Sequence, residues 1–123
     1  MRTVEIKFRG RPIEDYGDTK WFYGNAVINY EEKLAYIEAV GQGFVPVEWE
    51  SVGQFTGITN MDEKELYEGH VVKNAFGEEY KIIWDEKRCQ FIAVTTIEDG
   101  SEWYQKVSRS LEVIGNIYEN STK

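Results

Sequence analysis

The sequence predicts a mainly β protein: short antiparallel strands, a β-rich N-terminal lobe over residues 1–50 and a small barrel over residues 51–123, either as two parts or as one compact unit. Three observations carry this. Apolar residues recur with period two rather than 3.6. Six Phe, eight Tyr and four Trp supply much of the apolar content, and aromatic side chains favour strands. Gly, Asn, Asp or charge clusters punctuate the chain at short intervals.

Taken in order, Thr3–Phe8 alternates, with Val4, Ile6 and Phe8 on one face and Thr3, Glu5 and Lys7 on the other. Arg9-Gly10-Arg11-Pro12 ends it. Lys20–Ile28 reads as the next strand, with Trp21 and Tyr23 on one face and Phe22 on the other. Asn29–Lys33 is a hairpin turn into Leu34–Val40, and Gly41-Gln42-Gly43 is a flexible joint. Phe44–Trp49 contains Pro46, which confines it to a sheet edge. Val52–Ile58, Val71-Val72, Tyr80–Trp84, Cys89–Thr96, Trp103–Val107 and Leu111–Tyr118 complete the strand candidates, separated by turns at Ala75–Glu78, Asp85–Arg88 and Glu98–Ser101. Met61–Tyr67 and Ser101–Val107 are the helix candidates, each about two turns long and uncapped at one end.

Fourteen Lys and Arg against twenty-two Asp and Glu give a formal charge of −8, so binding to a phosphate backbone starts with an electrostatic penalty and no direct nucleic-acid partner is expected. The start, MRTVEIKFRGR, lacks the apolar core of a signal peptide, and no run is long enough to cross a bilayer. The expectation is a cytoplasmic protein with no membrane partner. Cys89 is the single cysteine, and its setting in RCQFIAV predicts a small buried hydrophobe.

Residues that could carry chemistry are few. His70 is the single histidine, so any Ser-His or Cys-His arrangement must use it, and one His with one Cys does not make a zinc site of ordinary composition. No catalytic residue, metal or cofactor is expected. The carboxylate pairs Glu31-Glu32, Asp62-Glu63, Glu78-Glu79 and Asp85-Glu86 fall in turns, where solvated charge is the ordinary reading. Asn60–Glu65 lacks the central Gly of a calcium loop. Gly41-Gln42-Gly43 is followed by Phe44-Val45-Pro46 instead of a helix start, so it is no phosphate loop. The aromatic clusters remain: Trp21 and Tyr23, and Trp103 and Tyr104, are the candidate binding residues, as core, subunit interface or exposed stacking surface.

Five stretches stand in a recognisable order: IKFRGRPIE at Ile6–Glu14, WFYGN at Trp21–Asn25, VGQFTGI at Val52–Ile58, KELYEGHVV at Lys64–Val72 and LEVIGNIYEN at Leu111–Asn120. In these the chain resembles the YopX-like family of small phage and prophage proteins of Gram-positive bacteria, over nearly its whole length. The resemblance implies an SH3-like barrel, a tendency to form homo-oligomers, and no particular reaction. Two departures stand out. Glu63 occupies a turn position where the family has Gly, and His70 follows Glu-Gly where the family has Asp.

The leading expectation is a non-enzymatic, phage-encoded accessory protein of unknown molecular function that associates with itself and binds a host or phage protein. An alternative is an acidic decoy whose carboxylates mimic nucleic acid and occupy a host DNA-binding protein. A third is a carboxylate hydrolase built around Glu68 and His70. Apolar residues on both faces of Trp21–Tyr23, Ile82–Trp84 and Phe91–Val94 favour a homo-oligomer, since a small barrel covers one face of each strand.

Overall fold

The period-two pattern is realised in most of the expected strands of the computed structural model, which describes residues 5–118. The first described strand is Phe8–Gly10, so Arg9 and Gly10 lie within it instead of ending it. Thr3 and Val4 of the expected first strand, and Glu119 and Asn120 of the last motif, lie outside the described residues. The chain forms two compact units, Met1–Phe55 and Thr56–Lys123.

In the N-terminal unit, β1 (Phe8–Gly10), β2 (Phe22–Asn29), β3 (Leu34–Ala39) and β4 (Gly43–Val47) pair antiparallel in the order β4-β3-β2-β1. The start of β5 (Gly53–Thr59) lies beside β1. Registers Ala26↔Ile37, Ile37↔Val45 and Ala35↔Val47 set the apolar positions of three strands on one face. There Phe22, Ala35, Ile37, Ala39, Val45 and Val47 form the core, with Phe8, Tyr16 and Trp49 packed against it. Burial of Ile37 or Val45 contributes about 2 kcal/mol each. Pro46 lies on an edge strand, as its missing N–H requires, and the Ile13 N–H reaches its carbonyl from outside at 3.1 Å. A short 3-10 turn, Trp49–Ser51, follows β4. Ser51 is buried there, accepting from the Arg11 N–H at 2.8 Å and donating to the Glu48 carbonyl at 2.7 Å.

In the C-terminal unit, β5 ends beside β6 (Glu65–Tyr67). A five-stranded antiparallel sheet runs in the order β10-β9-β8-β7-β11, from β7 (His70–Lys73), β8 (Glu79–Asp85), β9 (Gln90–Thr96), β10 (Glu102–Lys106) and β11 (Glu112–Asn116). Val72, Tyr80, Ile82 and Ala93 on its inner face pack with Leu66, Val107 and Leu111.

Four expectations need correction. The C-terminal half is an open sheet, not a closed barrel: among the described residues its ends are β10 and β11, and Leu66, Val107 and Leu111 cap the inner face that closure would have buried. Neither helix candidate forms a helix: Met61–Tyr67 is a turn that leads into β6, and β10 occupies most of Ser101–Val107. The Asn60 side chain closes the first as a turn, and pairing with β9 extends the second. Cys89 is exposed, with φ 53, because the Asp85–Arg88 turn extends one residue further and β9 begins at Gln90.

Candidate binding surface

Asn60 organises the stretch between β5 and β6. Its side chain is buried, its amide nitrogen donates to the Leu111 carbonyl at 2.9 Å, and its Oδ1 accepts from the N–H groups of Asp62 and Lys64, both at 2.9 Å. This closes a tight loop in which Glu63 adopts the left-handed conformation at φ 64. The position where the resemblance implies glycine is therefore one that favours glycine, and Glu63 sits there under strain. Downstream, Gly69 turns the chain at φ 96 and delivers His70 into β7. His70 is buried, its Nδ1 accepts from the Tyr67 N–H at 3.0 Å, and its ring meets Tyr67 edge-on. The acceptor nitrogen fixes the proton on Nε2. A carboxylate at the same position could accept the same N–H.

The candidate aromatic residues divide by unit. In the N-terminal unit, Tyr23 is the cross-strand partner of Arg9, and the Arg9 guanidinium lies 4.0 Å from the centre of the Trp21 ring. Arg9 is 3% exposed, whereas Tyr23 is exposed and Trp21 half-buried. Phe22 faces the opposite way, into the core. The structure therefore brings Trp21 and Tyr23 together, through an arginine that the sequence reading took for strand-ending punctuation.

In the C-terminal unit, Trp103 and Tyr104 separate. Register pairs Tyr104 with Val94 and Trp103 with Thr95, so the two rings leave opposite faces of β10. Tyr104 joins Val94, Ile92 and Ile83 along the floor of a groove of about 530 Å³ on the outer face of the sheet. The β8–β9 turn forms its rim: Asp85, Glu86, Lys87 and Arg88, with Glu102 across from them. Arg88 pairs with Asp85 and lays its guanidinium over the Tyr104 ring at 4.0 Å. The Arg88 hydrogen bond holds the Asp85 carboxyl below its usual range, and the Asp85 and Tyr104 side chains push the guanidinium up. At the neighbouring turn the Ser101 hydrogen bond similarly lowers Asp99. On the core side, burial and then Glu78 raise Tyr80.

Chemically, the groove offers an apolar floor, a cationic plate parked on an aromatic ring, and carboxylates of opposite charge beside it. Such a surface fits a short mixed-charge peptide better than a reacting centre. Among the described residues, no group of three or more His, Cys, Asp or Glu is placed to hold a metal ion. No described helix is long and apolar enough to cross a membrane. The residues that sequence reasoning missed are Arg9, Asn60 and Arg88. For Arg88, the spacing from Asp85 was a local signal of the ion pair, whereas its place over Tyr104 had none.

The model of the YopX protein family matches residues 15–123, and the chain belongs to that family. No curated protein matches it.

Proposed function

Proceeding from membership of the YopX family, we propose that the protein is a non-enzymatic β module that associates with itself and binds a host or phage protein. On this reading it is an accessory protein of phage or prophage origin, acting in the cytoplasm of a bacterial host. One observation carries the binding role: the groove on the outer face of β8–β10, lined by Ile83, Ile92, Val94 and Tyr104, with Arg88 over the Tyr104 ring. Exposed aromatic residues and arginine are the side chains that dominate binding energy at protein interfaces.

Two features weigh against the alternatives. A decoy of nucleic acid needs free carboxylates spaced along one face, whereas Asp85 is already paired with Arg88. A hydrolase around Glu68 and His70 needs an imidazole open to substrate, whereas His70 is buried with Nδ1 committed to Tyr67.

The test uses tagged protein in extract of a lysogenic host, with captured partners identified by mass spectrometry and remeasured as purified proteins. A partner should bind wild type and lose about tenfold or more in affinity to Arg88→Ala and Tyr104→Ala. A specific partner whose affinity neither substitution alters would overturn the groove as the binding site. Substrate turnover by the purified protein would overturn the non-enzymatic reading.

A further inference from the structure

The described backbone of β10 ends its sheet with hydrogen-bonding groups aimed outward, and its side chains complement themselves. In the β9–β10 hairpin, Ile97 donates to the Ser101 carbonyl at 2.9 Å, and the Gly100 N–H returns to the Ile97 carbonyl at 2.9 Å. Gly100 takes φ 88, which such a loop requires of its third residue. Ile97 and Ser101 thus face each other as a hydrogen-bonded pair. From there the antiparallel alternation makes Trp103↔Thr95 and Gln105↔Ala93 the bonded pairs of the ladder. Glu102, Tyr104 and Lys106 consequently aim their N–H and C=O groups away from β9.

The two ends of this sheet differ. On β11 the register shifts between Val113 and Gly115, a bulge that interrupts edge pairing. β10 has a continuous register over all five residues, without Pro or bulge, and carries exposed Trp103 and Tyr104 at its middle. A regular, aromatic edge of this kind is a template for another strand.

We infer that the occupant is β10 of a second copy, paired antiparallel about a two-fold axis at Tyr104. This deepens the self-association proposed above and rests on it. The pairing places Glu102 opposite the second copy's Lys106, Trp103 opposite its Gln105, and Tyr104 opposite its Tyr104. Both end pairs are attractive, and each outward residue meets an outward residue, so all six edge N–H and C=O groups of each copy find partners. A parallel arrangement would set Glu102 against Glu102 and Lys106 against Lys106. The interface is isologous, as closed two-fold dimers require.

The charge pattern supplies its own test. In a Glu102→Lys dimer both end pairs are Lys against Lys; in a Lys106→Glu dimer both are Glu against Glu. A mixture of the two variants restores attraction at both ends. Light scattering coupled to size exclusion, and sedimentation velocity, would be run on wild type, each variant, the mixture and the double swap, with circular dichroism to compare folds. The expected result is a wild-type dimer, association weakened about tenfold or more in each single variant, and recovery in the mixture and the swap. Recovery on mixing also excludes misfolding as the cause of the loss. A wild-type oligomer indifferent to both substitutions would overturn the β10 interface while leaving self-association standing. A wild type that is monomeric at tens of micromolar would overturn both.

Discussion

The two units each place an arginine over an aromatic ring at the same separation, 4.0 Å, yet the two contacts do opposite jobs. Arg9 over Trp21 is 3% exposed and sits on β1, between β2 and β5. Arg88 over Tyr104 stands at the rim of an open groove, on a turn. The energy of a guanidinium–ring contact grows as water is excluded, from about 0.5 kcal/mol at exposed sites to about 2 kcal/mol when desolvated. Geometry alone therefore does not say what such a pair is for; burial does. The buried pair holds a strand in place, and on the proposed function the exposed pair exchanges its ring or its carboxylate for a ligand.

Arg9→Ala should be the most damaging of the substitutions that test this contrast. Losing the buried stem and the ring contact is expected to lower stability by about 3 kcal/mol, read as a fall in the urea midpoint. His70→Ala follows, at about 2 kcal/mol, because it removes the acceptor of the Tyr67 N–H inside the fold. His70→Asp should recover at least half of that loss, which distinguishes a hydrogen-bond role from simple packing.

These two residues also mark what the sequence could convey. Strand periodicity, the edge position of Pro46 and the separation of Phe22 from Trp21 and Tyr23 were legible, because period-two alternation is a local property. The same rule applied to Trp103-Tyr104 would have sent the rings to opposite faces; reading them as one cluster ignored the pleat. Arg9 and His70 were not legible as interior groups. Their burial depends on cross-strand neighbours and on a turn at Gly69, and neither signal lies within a few residues of the side chain concerned. Arg88 required knowing that the β8–β9 turn folds back over Tyr104. Closure was overestimated because strand count says nothing about whether the last strand reaches the first.

Smaller effects sharpen the contrast further. Glu63→Gly should raise stability by about 0.5 kcal/mol, relief of left-handed strain outweighing the added freedom of the unfolded chain. Arg88→Ala should leave the urea midpoint nearly unchanged, as loss of an exposed pair does, while impairing partner binding. A loss comparable to that of Arg9→Ala would break the comparison, because it would make the rim of the groove structural. The smallest effect is acid sensitivity. The Asp85 carboxyl is held below 3.8 by Arg88, so its contribution is complete above that value and fades as pH falls through the lower folded value. Wild type and Asp85→Asn should therefore differ in thermal midpoint near neutrality, and the difference should shrink as pH falls below the ordinary carboxylate value.

On the proposed β10 pairing, the unequal ends of the C-terminal sheet would set a valence. A strand that accepts a neighbour only along one side, and only in the orientation that its charges permit, is saturated after one encounter. Growth through this sheet needs both of its ends to be receptive, and the bulge in β11 withdraws the second. Adding chain to such a system raises the fraction paired without lengthening the assembly. Mending the bulge, rather than strengthening β10, is the change that would turn a pair-former into a polymer.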